Sequence, residues 1–123
     1  MKTNRLEYYA HHADSRGEFL GLINRGTWKE VNYVVTRAGE VRGNHFHKST
    51  REIVFLLKGE ADVELQDVND PGSRATVHLS QGEGVEVVPY VLHTMRYLSD
   101  SEQISLLDRA FDPANPDLNT VES

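Results

Sequence analysis

From about residue 18 to residue 108 the chain runs in short stretches in which apolar and polar residues alternate, or apolar residues stand together, each stretch bounded by turn residues. A period of two is the mark of strands rather than of helices. Nine strands are predicted: Glu18–Ile23, Glu30–Thr36, Glu40–His47, Glu52–Lys58, Ala61–Val68, Arg74–Leu79, Gly84–Val88, His93–Leu98 and Gln103–Asp108. Strict alternation in Ala61-Asp62-Val63-Glu64-Leu65 predicts burial of Ala61, Val63 and Leu65 and exposure of the two acids. Ile53-Val54-Phe55-Leu56-Leu57 is apolar throughout, which suits either a strand covered on both faces or one at an oligomer interface. Turns are expected at Lys58-Gly59-Glu60, at Asn69-Asp70-Pro71-Gly72 and at Gln81-Gly82-Glu83-Gly84, where two glycines tolerate positive φ. The first ten or so residues carry no clear period. Pro113 and Pro116 bar helix and central strand from the last segment, which reads as an extended surface tail or a frayed end. Closely spaced strands predict one all-β domain with a closed sheet or sandwich, its core at about 14–111 and its tail at 112–123.

Composition narrows the class. With no cysteine, neither disulfides nor thiolate ligation supports the fold, and the cytoplasm is the expected compartment. No apolar run approaches the roughly 20 residues of a membrane helix, and the first residues lack a secretory h-region, so no membrane partner is expected. A net charge of −6 argues against a nucleic-acid partner. Arg37, Arg42, Lys48 and Arg51 nevertheless cluster in sequence, which leaves room for an anionic small molecule.

His45 and His47, two apart on a predicted strand, project from one face. They sit inside a spaced pattern: Gly39, His45, His47, Glu52 and Gly59, with the glycines placed to turn Glu52 back beside the histidine pair. His93 follows 41 residues after Glu52, a separation that suits a strand returning to the same end of a barrel. His78 falls in the alternation Thr76, His78, Ser80 and is expected to face solvent. His11 and His12 lie in an unpatterned segment.

Residues 39 to 59 resemble the first motif of the cupin superfamily. Residues 84 to 93 resemble the second, with Pro89-Tyr90-Val91-Leu92 in place of the usual Pro, any residue, Gly ahead of the histidine. The resemblance implies a cupin double-stranded β-helix, a jelly-roll-like barrel, with one divalent ion on His45, His47, Glu52 and His93. Imidazole with carboxylate suits Mn, Fe, Co, Ni, Cu or Zn. More finely, Asp14-Ser15-Arg16-Gly17, Val31-Asn32-Tyr33 and Arg42 to Lys48 are similar to cupins that act on nucleotide-linked keto-sugars. One such group is the sugar 3,4-ketoisomerases, in which two histidines serve as acid and base without metal and no carboxylate stands at the Glu52 position. The other is the C-terminal cupin domain of capsular-polysaccharide enzymes, which shares the tail Phe111 to Asp117 and binds zinc. The presence of Glu52 favours zinc.

The implied function is proton transfer next to a ketone, an epimerase or ketoisomerase of a nucleotide-linked 4-keto-sugar in cell-surface polysaccharide synthesis. In that reading His47 and Tyr33 are the catalytic candidates, Tyr33 as acid or base unless it merely packs with its hydroxyl bonded. Arg42 and Lys48 would hold the diphosphate. Two alternatives are a metal-dependent dioxygenase and a non-catalytic sugar-binding or sensory cupin. The resemblance also implies a homodimer, and a separate partner enzyme for the reductase step that the capsular enzymes carry in an appended domain.

Overall fold

The computed structural model describes residues 1–121, and among these it holds eleven strands and no helix. They are β1 (Asn4–Glu7), β2 (Ala10–Asp14), β3 (Gly17–Gly21), β4 (Glu30–Thr36), β5 (Val41–His45), β6 (Glu52–Lys58), β7 (Ala61–Asp67), β8 (Asp70–Leu79), β9 (Glu83–Val87), β10 (Val91–Tyr97) and β11 (Ser101–Leu107). A five-stranded sheet, in the order β1-β9-β6-β11-β4, faces a four-stranded sheet in the order β5-β10-β7-β8, and β2 and β3 form a separate hairpin. Every strand pairing is antiparallel.

Side-chain parity determines what lies between the sheets. On β7, Ala61, Val63 and Leu65 are buried, as alternation predicts, and they pack with Val77, Leu79, Val85, Val87, Met95 and Tyr97. On β6 the inward residues are Glu52, Val54 and Leu56, because Val54 and Leu56 belong to that core. Ile53 and Phe55 therefore face outward, yet each is 0% exposed, and the Tyr8 ring lies 6.0 Å from that of Phe55. The apolar run is thus a strand covered on both faces by its own chain, and its outward face offers no free surface to a second copy.

Three expectations are corrected. The chain has two strands more than predicted, β1 and β2, and β1 extends the five-stranded sheet by pairing with β9, Asn4 opposite Glu86. The turn near residue 70 is the pair Val68-Asn69, closed by Asp67 opposite Asp70. Pro71 and Gly72 belong to an irregular start of β8. Gly82 has φ 86° but Gly84 does not have positive φ. Gly84 lies within β9 opposite Phe55, where a Cβ would stand 2.7 Å from the Val54 carbonyl oxygen. The tail is extended and anchored rather than frayed: Asn119 bridges Phe46, with both backbone bonds formed at 2.9 and 3.0 Å.

Candidate metal centre

β5, the loop after it, β6 and β10 deliver four side chains to one end of the interior. His45 pairs across the sheet with His93, and Glu52 opens β6. One donor atom from each of His45, His47, Glu52 and His93 lies within 4.8 Å of the others. Their imidazole centroids stand 4.5 to 5.3 Å apart. His47 and His93 are each 3% exposed, and His45 is half-buried.

A bulge sets the orientation of β5. Opposite β10, Gly43 and Asn44 fill the space that the ladder allots to Thr94, so register shifts between His93 and Thr94. Gly43 takes φ 89° and Asn44 φ 60°. A Cβ on Gly43 would meet the His93 carbonyl oxygen at 2.7 Å, so glycine is needed both for conformation and for space. The extra residue puts Arg42 and His45, three apart, on the same inward face. Arg42 lies opposite the buried Met95. Its Nε donates to the Thr36 hydroxyl at 2.7 Å and its guanidinium reaches the Val35 carbonyl at 3.2 Å.

Hydrogen bonds define the chemistry of the four. The His47 Nδ1 lies 2.7 Å from the Asp117 carbonyl oxygen and the His93 Nδ1 3.2 Å from that of Val91. A carbonyl only accepts, so each Nδ1 carries the proton and each Nε2 faces inward. Those Nε2 atoms lie 3.0 and 3.5 Å from the same oxygen of Glu52. A neutral imidazole in this tautomer sets a lone pair towards a carboxylate, an arrangement that a cation between them would stabilise. Burial pushes the Glu52 carboxyl up, but bonds from His47 and His93 and their charge outweigh it and hold the group at about 2. Burial and the neighbouring His93 and His47 push His45 down. On His47 burial acts in the same sense but is outweighed by Glu52 and the Asp117 carbonyl, so its pKa rises.

The donor set fits a divalent ion. Four donors on bonds of about 2.1 Å stand roughly 3 to 4 Å apart, so small side-chain shifts bring these four into place. Two histidines are already oriented by backbone carbonyls, as outer partners orient ligating histidines in general.

The structure does not bring Tyr33 to this group. Tyr33 pairs with Ile104, which pairs with Phe55, so it shares the outward face and turns its back on Glu52. It is 59% exposed and its hydroxyl bonds the Glu102 carboxylate. The expectation that it carries a proton at the four-residue site is corrected by parity alone. Lys48 stands beside the site on the loop after His47. Its backbone N–H donates to Asp117, and its side chain borders a groove of about 350 Å³ with Glu30, His47, Arg109 and Phe111. His78 is exposed and bonded to Asp62.

Two residues escaped the sequence reading. Glu30 faces inward on the cross-strand row Glu52, Leu107, Glu30, and it accepts from the Phe111 N–H and from Asn32. Those bonds hold its carboxyl below the usual range. Asp117 receives the backbone N–H groups of Lys48, Ser49 and Thr50 and the Thr50 hydroxyl, all between 2.7 and 2.9 Å. Only the parity of Glu30 relative to β11 could have flagged the first, and no local signal marks the second.

An all-antiparallel barrel with three histidines and a glutamate gathered at one end is a cupin. Its residues 12–119 match the family described as the polysaccharide biosynthesis C-terminal domain, and the chain belongs to that family. Over 109 residues it is 25% identical to the UDP-2-acetamido-2,6-beta-L-arabino-hexul-4-ose reductase of Pseudomonas aeruginosa, covering 86% of this chain and 29% of that protein. Among solved structures, the capsular polysaccharide assembling protein CapF from Staphylococcus aureus superposes with a TM-score of 0.72 at 24% identity, over 93% of this chain and 32% of CapF. A 3,4-ketoisomerase from Helicobacter canadensis superposes with a TM-score of 0.78 at 20% identity, over 93% of this chain and 88% of the other. These superpositions establish a shared fold. The chain spans about a third of the length of the reductase and of CapF.

Proposed function

We propose that this domain acts on a nucleotide-linked 4-keto-sugar, moving a proton at a carbon next to the ketone, with a divalent metal ion, zinc favoured, on His45, His47, Glu52 and His93. The observation that carries the reading is the convergence of two oriented imidazole Nε2 atoms on one buried carboxylate oxygen, an arrangement that a cation between them would stabilise. The substrate class is supported by the family and by the chain's similarity to a hexul-4-ose reductase and to a 3,4-ketoisomerase. A bound divalent ion would supply Lewis-acid stabilisation to an oxygen on which charge develops.

The protein's own groups do the rest. With His45 and His47 engaged as ligands, the proton must be carried by another side chain, and we assign this to Glu30. It faces inward, it is kept ionised by the Phe111 N–H, and it borders the groove beside His47. Arg42, fixed against Thr36 on the inner wall, and Lys48 at the groove are positioned to receive the diphosphate.

A second reading is favoured by the opposite pKa shifts of His45 and His47. Two neighbouring titratable groups driven apart in this way make an acid and base pair without metal. Elemental analysis of protein purified without chelator, combined with deuterium incorporation into a UDP- or dTDP-linked 4-keto-6-deoxy-sugar in D2O, separates the two. One equivalent of metal, lost in Glu52→Ala and His93→Ala, with exchange abolished in Glu30→Gln while its metal remains, is the expected result. Exchange in metal-free protein that survives Glu30→Gln and fails in His45→Asn would replace the first reading with the second. Binding of UDP or dTDP without any exchange would reduce the domain to a sugar-binding module.

A further inference from the structure

The tail reaches the four-residue site from the far end of the sequence, and its contacts there differ from those along the rest of its length. Asp117 gathers four hydrogen bonds from Lys48, Ser49 and Thr50, the three residues that follow His47. Its own carbonyl oxygen stands 2.7 Å from the His47 Nδ1. Two residues on, Asn119 forms a backbone bridge with Phe46, and its side chain donates to the Phe46 carbonyl and to the Asp117 carboxylate. The tail therefore grips the chain on both sides of His47, at Phe46 and at residues 48 to 50. Among the described residues, the His47 ring itself is bonded only to the carbonyl at the centre of that grip and to Glu52.

We infer that Asp117 and Asn119 form a clasp that positions His47: seating the tail presents a carbonyl to Nδ1, which fixes the proton there and leaves Nε2 free to bind a cation. The carboxylate of Asp117 does not touch the ring. It acts through the loop, holding the 117 carbonyl in place, and is a positioning group rather than a ligand. Burial raises the Asp117 carboxyl, yet its bonds to Lys48, Ser49 and Thr50 drive it well below the usual carboxylate range, so the clasp is closed throughout the neutral region. Outer partners of ligating histidines typically contribute about 10- to 100-fold in metal affinity. This inference rests on the metal reading for its affinity consequence, but its structural content, the tautomer of His47, is independent of it.

The test compares the parent with Asp117→Ala/Asn119→Ala, with the milder Thr50→Val, and with Asp112→Ala, which loosens only the turn at Ala114. Long-range proton–nitrogen NMR on metal-free, ring-labelled protein reports whether the His47 Nδ1 carries a proton, and zinc affinity is measured by competition with a chromophoric chelator. The double variant is expected to lose the Nδ1–H signature and to bind zinc about 10- to 100-fold more weakly. Thr50→Val is expected to fall between the parent and the double variant, and remains informative if the double variant does not fold. Asp112→Ala is expected to match the parent in both measurements. A parent with the Nδ1–H tautomer but no zinc affinity would sink the metal reading and leave the clasp standing. Retention of that tautomer and of zinc affinity within about threefold in the double variant, or in Thr50→Val alone if the double variant does not fold, would overturn the clasp.

Discussion

The two ends of the barrel interior are built from the same strands and have opposite characters. β6 turns Glu52 inward at one end and Val54 and Leu56 further along. β10 does the same with His93 and then Met95 and Tyr97. At the apolar end the contacts are non-directional, and the stability they give scales with the area removed from water. At the polar end each buried group has a named partner, and no buried side-chain nitrogen or oxygen among the described residues lacks one. One strand can thus serve both purposes because a period of two fixes only which face a residue occupies, and position along the strand decides between core and chemistry.

That division can be broken from either side. Leu56→Ala, at a fully buried core position, is expected to cost about 2–5 kcal/mol of stability while leaving metal stoichiometry unchanged, read by urea unfolding and elemental analysis. Glu52→Ala is expected to abolish metal binding, a loss exceeding the roughly 100-fold of an outer partner, read by chelator competition. Acid sharpens the contrast. Asp117 is lowered in the folded state, so its contribution is complete above the ordinary aspartate range near pH 4 and is lost as pH falls below it. Unfolding monitored between pH 6 and pH 2 should therefore show a smaller loss of stability in Asp117→Asn than in the parent. The smallest effect is expected at Tyr33→Phe, within about 0.5 kcal/mol in stability and with unchanged isotope exchange, because its hydroxyl meets Glu102 on the outer face.

Much of this architecture was legible in the chain itself, and the exceptions share a cause. Glu30–Thr36 and Glu52–Lys58 have the bounds that alternation and flanking turns predict, and the four donors stand together as their spacing suggests. β1 was missed because Asn4-Arg5-Leu6-Glu7 carries a single apolar residue, and it becomes a strand only by pairing with Glu83 to Glu86. The face of Tyr33 could not be known before the register of β4 on β11 and of β11 on β6. The same register brings Glu30 into line with Glu52. Asp117 meets a loop nearly 70 residues earlier, and nothing in its own neighbourhood encodes that meeting. What is local or periodic can be read in sequence. Partnership between distant segments requires the fold.

The Gly43-Asn44 bulge has a consequence for how such domains diversify. Because the extra residue interrupts the ladder between Arg42 and His45, the segment before it is uncoupled from the segment after it. Deleting one of the two residues would restore regular pairing with Arg42 still opposite Met95 and His45 still opposite His93, both on the inward face. A one-codon change could thus shorten this wall without exchanging its inward-facing side chains or disturbing the four donors, which makes the bulge a place where length can vary while the chemistry is kept.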